Sequence, residues 1–237
     1  MKLLLDVKNI DVGYGFLQVL WKVSIAIDAG EYVCLVGPNG AGKTTTLKAI
    51  MGLLAPQKGD ILFKGEPIAG LTGNKVCQKG IGYISEGANL FTGMTVRENL
   101  LMGAYTVNDR RKVKESLDFV FNLFPRLKER EKQLAGTMSG GERKMLAIAR
   151  GMMAVPSLLL VDEPSLGLAP IITNDVFNAL DVLRKKGVTL LLVEQNVVKA
   201  LKVTDRGYIL EKGKIVLQEK SQDLAKNDYV KKVFLGV

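Results

Sequence analysis

The stretch that decides the fold reads Gly37-Pro38-Asn39-Gly40-Ala41-Gly42-Lys43-Thr44. It follows an apolar run with strand character, Tyr32-Val33-Cys34-Leu35-Val36, and precedes a segment predicted to be helical from Thr45 to about Leu53. A glycine-rich loop between a strand and a helix that ends in Lys-Thr fits the pattern of loops that bind nucleotide phosphates. The alternative is a glycine-rich turn that carries a surface lysine.

This phosphate loop, residues 37–44, has the chemistry that a nucleotide site requires. Glycines let successive backbone N–H groups point inward, and the helix that starts at Thr45 adds the positive end of its dipole. Lys43 is expected to reach the β- and γ-phosphates, and the Thr44 hydroxyl is expected to ligate Mg²⁺. We therefore predict a nucleotide-phosphate site over residues 37–45.

The composition is that of a chain with a substantial buried core. It has 237 residues, 47% of them hydrophobic, and a net charge of +9 with no histidine. Apolar runs such as residues 157–161 are too short to cross a bilayer, and Asp6 follows Met1 too soon for a signal peptide. Cys34 and Cys77 lack metal-site spacing, so we interpret them as reduced thiols of a cytosolic protein. Without histidine, acid–base chemistry must use a carboxylate, Lys, Tyr, Cys or a metal-bound water.

The positive charge has more than one explanation. Basic stretches at residues 110–114, 126–132 and 184–186 are interleaved with acidic or apolar residues, which is typical of solvated helix faces. A surface for nucleic acid or anionic lipid is the alternative.

Strand-like and helical segments alternate along the chain. From about residue 87 to residue 156 the pattern is mainly helical, with a capping box at Thr95 and Glu98, an apolar stripe from Asp109 to Leu134 and an interruption at Pro125. This region resembles a helical insertion in an α/β core. Strands are predicted at residues 3–12, 19–27, 32–36, 59–65, 80–84, 157–161 and 188–193, a hairpin at 208–217, and further helices at 171–186 and in the tail to Val237.

Ser139-Gly140-Gly141, here called the Ser-Gly-Gly motif, forms a second candidate site. With Glu142 it matches a capping box at the start of an amphipathic helix. The cap alone does not explain two consecutive glycines, because each weakens a first helical turn by about 1 kcal/mol relative to Ala. Glycines suit a backbone that must approach an anion closely at a helix N-terminus. The chain therefore offers two candidate phosphate sites.

Two acidic residues end a buried strand. Asp162 and Glu163 follow the apolar run 158–161, which is typical of a central parallel strand. Ligands of such sheets bind outside the carboxyl ends of the strands. Asp162 is therefore expected to hold Mg²⁺ through water, and Glu163 to polarise an attacking water. Tyr14 lies between two glycines upstream, where it either stacks on a purine or packs in a turn, and its local sequence leaves both open.

Together, the phosphate loop, the Ser-Gly-Gly motif and the Asp162-Glu163 strand resemble the ATP-binding-cassette (ABC) ATPases over essentially the whole chain. The resemblance implies an α/β fold: a P-loop NTPase core with a mainly parallel sheet, an antiparallel β subdomain and an inserted helical subdomain, in one domain over residues 1–237. It implies that Tyr14 stacks on adenine and that Gln195 stands where most members have a histidine that contacts the γ-phosphate. Glu86 falls where most members carry a glutamine that contacts Mg²⁺ and senses the membrane partner. Met138 replaces the usual Leu, and Ala169 replaces an aspartate.

Several departures resemble the ATPases of branched-chain amino-acid importers. These are Glu86, the stretch 165–170, Val193-Glu194-Gln195-Asn196, residues 123–130 and the closing Phe234-Leu235-Gly236-Val237. Ser85, Arg143 and Lys144 differ from that group, which favours proline at the first position and glutamines at the other two. The loop 87–89 lacks the arginines expected where the membrane partner would dock.

The resemblance implies a mechanism and a set of partners. ATP bound at Lys43 of one subunit is closed over by the Ser-Gly-Gly motif of a second ATPase subunit, identical or related. Glu163 is the expected general base, Gln195 positions water and γ-phosphate, and Glu86 links to transmembrane permease subunits. An extracytoplasmic substrate-binding protein takes part indirectly, and the chain works at the cytoplasmic face of the cell membrane, with ATP and Mg²⁺ and no nucleic acid.

Two alternatives remain at this point. A soluble ABC ATPase acting on DNA or ribosomes would use the positive charge, and a salt-dependent affinity for DNA or RNA would favour it. The 52 residues between Glu86 and Ser139 predict compact helices rather than the long coiled coil expected of such proteins, and the chain has one cassette. A P-loop kinase of small molecules would have no use for the Ser-Gly-Gly motif.

Overall fold

The computed structural model describes residues 2–235. Within them, ten strands appear in chain order: β1 (Leu3–Tyr14), β2 (Leu17–Asp28), β3 (Tyr32–Val36), β4 (Lys58–Phe63), β5 (Glu66–Pro67), β6 (Ile81–Ile84), β7 (Leu158–Asp162), β8 (Thr189–Glu194), β9 (Arg206–Glu211) and β10 (Lys214–Lys220). The helices are α1 (Lys43–Ile50), α2 (Gly73–Gln78), α3 (Val96–Gly103), α4 (Arg110–Leu123), α5 (Pro125–Glu129), α6 (Gly140–Met152), α7 (Pro170–Lys185), α8 (Val197–Val203), α9 (Ser221–Leu224) and α10 (Asp228–Val230), with a 3₁₀ turn at Ala135–Thr137 and a π-helical turn at Lys231–Leu235.

A six-stranded sheet, with the order β10-β9-β3-β8-β7-β6, forms the centre of the fold. Its strands are parallel except for β10, which runs antiparallel to β9. Strand β3 is buried at every position. Tyr32, Cys34 and Val36 pack into one hydrophobic cluster, whereas Val33 and Leu35 pack into another on the opposite face. Both faces of this sheet are therefore covered, as its continuous apolar strands require.

A second sheet, antiparallel and with the order β2-β1-β4-β5, covers one face of the first. Two main-chain bonds join it to the β9–β10 turn and the phosphate loop. Trp21 N donates to Gly213 O at 2.9 Å, and Gly213 N donates to Ala41 O at 2.9 Å. A side chain at Gly213 would place its Cβ 1.9 Å from Val19 O, so this contact requires glycine.

Helix α6 packs tightly between the helical region and the central sheet. A Cβ at Gly103 in α3 would lie 2.1 Å from Arg150 O of α6, and a Cβ at Gly151 would lie 2.7 Å from Ile84 Cγ1 of β6. Because these glycines lack side chains, α6 lies directly against both elements. The helix carries the Ser-Gly-Gly motif at its N-terminal end.

The predicted α/β fold, with its parallel core, antiparallel sheet and helical insertion, is confirmed. Several predicted boundaries were wrong. The first helix ends at Ile50 rather than near Leu53, and the helical stretch predicted to Leu134 ends at Glu129. Helix α2 was not predicted, and the tail forms short helical pieces up to Leu235. The Gly236-Val237 part of the closing motif lies outside the described residues. None of the helices described for residues 2–235 has the length and apolar character needed to span a membrane.

Candidate functional site

The candidate site lies where four neighbouring parallel strands end. Strands β3, β8, β7 and β6 are adjacent in that order, so their carboxyl ends meet at one edge of the sheet. The phosphate loop follows β3, and Asp162-Glu163 end β7. Glu194 and Gln195 stand at the end of β8, and the loop that carries Glu86 follows β6. Parallel strands with different loops thus bring these side chains to one region, as open α/β sheets do.

The phosphate loop curls around the side chain of Lys43. Gly42 precedes α1 with φ 108°, a conformation that side-chain-bearing residues rarely adopt. Lys43 Nζ donates to Gly37 O at 3.0 Å and to Pro38 O at 3.2 Å, and its side chain is 5% exposed. The ammonium group is therefore held at the inner side of the loop, beside the N-terminus of α1.

Asp162, a predicted Mg²⁺ ligand, lies at one end of the candidate site. It is fully buried, and it accepts hydrogen bonds from Thr44 Oγ1 at 3.2 Å and from Tyr83 Oη at 3.1 Å. Burial raises the pKa of Asp162, against the opposing effect of these two bonds. Burial, and then the charge of Asp162, raise the pKa of Tyr83, which keeps its phenol protonated as a donor.

The residues present fit Mg²⁺ bound together with a nucleotide. Thr44 and Asp162 supply hard oxygen donors side by side, which Mg²⁺ prefers. No group of three His, Cys, Asp or Glu side chains able to hold a metal ion was found among residues 2–235. A magnesium ion here would therefore need phosphate and water oxygens to complete its coordination, which is its usual mode at nucleotide sites.

Glu163 lies next to Lys43. Its Oε1 is 3.3 Å from Lys43 Nζ, its side chain is 10% exposed, and its N–H donates to Val193 O at 2.9 Å. Its φ of 43° is left-handed, a strained conformation for a non-glycine residue that is found at functional sites. Glu163 and the exposed Gln195 line one open cavity of about 360 Å³, so both face the same space.

The Ser-Gly-Gly motif lies at the exposed N-terminus of α6. Ser139 and Glu142 form the predicted capping box, and Arg130 Nε is 3.1 Å from Glu142 Oε1. A Cβ at Gly140 would meet no atom within 4 Å. Among the hydrogen bonds of residues 2–235, none joins this motif to the phosphate loop. The motif therefore faces open space, where a ligand or another chain has access.

Tyr14 is half-exposed at the end of β1, directly before the turn to β2. Its side chain is 45% exposed, and Lys48 of α1 lies near it, with Nζ 3.5 Å from Oη and 5.7 Å from the ring centroid. Much of the ring is thus accessible, close to the last turn of the helix that follows the phosphate loop. This position agrees with the stacking role better than with the packing role.

Glu86 is exposed, and the loop around it, residues 85–91, is attached to α6. Lys144 Nζ donates to Glu86 O at 2.8 Å, and Arg150 donates to Ala88 O at 3.0 Å and to Asn89 O at 2.9 Å. The Glu86 carboxylate forms no ion pair or hydrogen bond with Thr44 or Asp162 in the part of the chain that the structure describes. Its predicted contact with Mg²⁺ would require the ion or the loop to approach.

Three residues important to the site were missed from the sequence. Tyr83 bonds Asp162, Lys144 bonds the Glu86 loop, and Glu194 Oε1 accepts from Ser165 N at 3.1 Å. Glu194 is buried, and burial raises its pKa despite this bond to the loop after Glu163. The sequence marks Lys144 as unusual, since it departs from the importer pattern. It does not mark Tyr83, because only the register of β6 against β7 places this residue beside Asp162.

Comparisons with known proteins agree with this geometry. Residues 20–166 match the model of the family described as "ABC transporter". The high-affinity branched-chain amino acid transport ATP-binding protein BraG of Pseudomonas aeruginosa is 46% identical over 98% of this chain and 100% of its own length. A probable branched-chain amino acid transport ATP-binding protein, LivF of Archaeoglobus fulgidus, is 36% identical over 97% of each chain. The lipopolysaccharide export ATP-binding protein LptB of Haemophilus influenzae is 35% identical over 98% of this chain and 97% of its own length.

Solved structures of ATP-binding cassettes superimpose on this fold over nearly the whole chain. A crystal structure of the ADP conformation of an ATP-binding cassette superimposes with a TM-score of 0.85 at 26% identity, covering 100% of both chains. A nucleotide-free cassette superimposes with a TM-score of 0.86, also at 26% identity, over 99% of this chain and 100% of that chain. With its phosphate loop, its acidic β7 end and its matched family model, the chain belongs to the ABC transporter family and is an ABC ATPase.

Proposed function

We propose that this chain is the ATP-binding and ATP-hydrolysing subunit of an importer for branched-chain or other hydrophobic amino acids. The observation that carries the ATPase part is the contact of Lys43, Thr44, Asp162 and Glu163 at one edge of the parallel sheet. The substrate class is supported by the names of BraG and LivF, and by Glu86 and Gln195.

Lys43 and Glu163 supply the charge rearrangement that ATP binding requires. Lys43 Nζ is 3.3 Å from the Glu163 carboxylate, and its other contacts are loop carbonyls. The β- and γ-phosphates of ATP carry more negative charge than one carboxylate, so they compete with Glu163 for this ammonium group. Glu163 is then free to accept a hydrogen bond and a proton from the attacking water.

The remaining polar groups of the site orient water and phosphate, hold the metal ion and stabilise the loop after Glu163. The Gln195 amide borders the same cavity as Glu163, where it can orient water and γ-phosphate but cannot take a proton at neutral pH. Thr44 and Asp162 would hold Mg²⁺, which when bound neutralises charge on the phosphate oxygens. Glu194 fixes the loop after Glu163 through Ser165 N.

A second ATPase subunit completes the site. The backbone N–H groups at the start of α6 suit an anion, and the space beside Gly140 leaves room for it. We infer that this motif covers the γ-phosphate bound by a partner, either a second copy or a related chain. ATP would then join two helix N-termini and hold the dimer, and hydrolysis would release it.

The membrane partner is best accommodated beside the Glu86 loop. A cavity of about 400 Å³ lies there, bordered by the exposed side chains of Phe91, Met102 and Tyr105. We infer that a cytoplasmic segment of a permease subunit, with an apolar face, docks in this cavity. The chain would then act at the cytoplasmic face of the cell membrane, with an extracytoplasmic binding protein as an indirect partner and no nucleic acid.

Glu163→Gln tests this function directly. The amide cannot act as a base, so we expect ATP turnover to fall by a factor of about 100 or more, with ATP binding retained. Light scattering of the variant should show a dimer with Mg-ATP and a monomer without it. Glu115→Gln, an exposed change on α4, serves as the matched control and should behave like the wild type.

Each outcome of this experiment has a defined meaning. Unchanged turnover would remove Glu163 from the role of base. ATP binding without dimerisation would point to a related partner chain or a need for the permease. Failure to bind ATP would contradict the nucleotide site itself.

A further inference from the structure

Helix α6 connects two regions that the proposed mechanism treats separately. Its N-terminus is the Ser-Gly-Gly motif, which faces the nucleotide of a partner subunit. Further along, Lys144 and Arg150 project from the same helix to the Glu86 loop, residues 85–91. That loop belongs to the chain's own nucleotide site.

The attachment is made through main-chain carbonyls. Lys144 Nζ bonds Glu86 O at 2.8 Å, and the two terminal nitrogens of Arg150 bond Ala88 O and Asn89 O at 3.0 and 2.9 Å. Side chains of the loop can change without affecting such bonds, but its backbone cannot move without breaking them. Bonds from charged donors are among the strong ones in proteins.

The loop has a conformation that needs this support. Ala88 and Asn89 both have left-handed backbones, with φ of 61° and 46°. Side-chain-bearing residues, Ala88 above all, persist in this region only where neighbouring groups hold them. The cations of α6 are such neighbours.

Lys144 is built into the interior rather than lying on the surface. It is 5% exposed, whereas Arg143, one position earlier on the helix, is exposed. Burial lowers the pKa of its ammonium group, and nearby carboxylates oppose this shift: those of Asp162, Glu86, Glu194 and Glu163. Close packing of Gly151 against Ile84, directly before the loop, makes the joint between α6 and β6 stiff.

We propose that Lys144 and Arg150 are positioning residues that fasten the Glu86 loop to α6, so that the Ser-Gly-Gly motif and this loop move as one body. In the dimer of the proposed function, on which this inference rests, closure of α6 over one ATP then repositions Glu86 at the other. The two sites are coupled through each chain, and ATP hydrolysis depends cooperatively on ATP concentration.

Three substitutions of Lys144 separate the effect of its hydrogen bond from the effect of its charge. Lys144→Gln keeps a donor for Glu86 O and removes the charge, Lys144→Met removes both, and Lys144→Arg keeps the charge. Arg143→Met is the matched control, because it removes an exposed charge from the same helix. Hydrogen exchange of peptides that cover residues 85–91 is measured first, since the amides of Ala88 and Asn89 are hydrogen-bonded within this loop.

We expect Lys144→Met to speed exchange of these amides by a factor of about 5 in the isolated chain, which corresponds to about 1 kcal/mol, the usual net contribution of one hydrogen bond. In ATP hydrolysis, its Hill coefficient should fall toward 1 and its half-saturating Mg-ATP concentration should rise. Lys144→Gln should retain most of the protection of these amides against exchange. Lys144→Arg should retain both this protection and the Hill coefficient of the wild type. Arg143→Met should match the wild type in both measurements.

The readouts distinguish this inference from the proposed function. An unchanged rate of amide hydrogen exchange in Lys144→Met would refute the claim that this side chain fastens the Glu86 loop to α6. Faster exchange with an unchanged Hill coefficient, or a wild-type coefficient of 1, would refute the coupling. Wild-type chains that bind no ATP would refute the proposed function instead, and the exchange result would still decide the fastening.

Discussion

At the scale of single residues, the surroundings of Asp162 support its predicted role as a cation ligand. Its carboxylate is fully buried, and within residues 2–235 its hydrogen-bond donors are the hydroxyl of Thr44 and the phenol of Tyr83. Neutral donors offset burial only in part, which is why the pKa of Asp162 is raised by burial. A divalent cation beside Thr44 would supply the missing positive charge.

Tyr14 allows a residue-scale prediction. Its ring is 45% exposed near α1, so Tyr14→Ala should weaken ATP binding by about 1–3 kcal/mol, the usual contribution of base stacking on an aromatic ring. This corresponds to a factor of about 5 to 150 in Kd, measured by calorimetry. Tyr14→Phe should keep the affinity.

Phe16, fully exposed in the turn that follows Tyr14, provides the control, and Phe16→Ala should leave ATP affinity unchanged. Inorganic triphosphate should bind all variants equally, since it has no base. If Tyr14→Ala bound ATP as tightly as the wild type, Tyr14 would have the packing role instead.

At the scale of elements, two helices begin with a capping box, and only the second of them carries predicted site residues. Thr95 with Glu98 caps α3, and Ser139 with Glu142 caps α6. Both capping boxes were predicted from sequence and are confirmed. Glu98 and Glu142 each have a lowered pKa, owing first to the bond from the backbone N–H of the cap residue.

The matched caps give an element-scale prediction. Ser139→Ala and Thr95→Ala should each cost about 1 kcal/mol of stability in urea unfolding, because each loses one cap. Only Ser139→Ala should also weaken the ATP-dependent dimer of a Glu163→Gln background in light scattering. Equal dimerisation in both double variants would mean that the Ser139 hydroxyl is a cap and nothing more.

Elements whose bounds are set by neighbouring residues in the chain could be predicted from the sequence, whereas elements whose bounds are set by tertiary contacts could not. Strand β3 was predicted to the residue, because its apolar run is bounded by a turn and the phosphate loop. The helix predicted as far as Leu134 stops at Glu129, since the following backbone instead bonds α3: Val96 N donates to Gln133 O at 2.9 Å. Such tertiary contacts, like the bond between Tyr83 and Asp162, leave no periodic signal. The nucleotide-binding, catalytic and metal roles remain predictions.

At the scale of the whole molecule, Arg206 joins the two sheets. From β9 it bonds both carboxylate oxygens of Glu31, at 2.7 and 2.9 Å, and Ala26 O of β2 at 2.6 Å. It also donates to Tyr208 Oη, which itself contacts Ala26. The pKa of Arg206 is raised, chiefly by its bond to Glu31. Burial alone would raise the pKa of Glu31, but the bonds from Arg206 and Asp28 N–H hold it below its usual 4.5.

We expect Arg206→Ala to lower the free energy of unfolding by about 1–3 kcal/mol near pH 7, measured in urea, because bidentate charged bonds are lost. Lys185→Ala, which removes an exposed pair with Asp181, should cost less than about 0.5 kcal/mol. Glu31 binds fewer protons when folded, so its contribution is present above about pH 4.5 and is lost as pH falls through its lowered pKa. The gap between wild type and Arg206→Ala should therefore narrow in acid, and a pH-independent gap would contradict this account.

The unequal burial of the two cysteines gives the unmodified chain an internal reporter. Cys34 is completely buried in β3, and burial raises the pKa of its thiol to about 12, so it stays protonated and out of reach of reagents. Cys77 is half-buried and borders the 400 Å³ cavity beside Tyr105. Burial also raises the pKa of the Cys77 thiol, but this thiol borders the cavity whereas Cys34 is sealed in the core, so a maleimide fluorophore would attach at Cys77 in preference to Cys34 without any substitution. If a permease segment enters that cavity, as proposed, the emission of this fluorophore would change, and assembly of the transporter could be followed in real time.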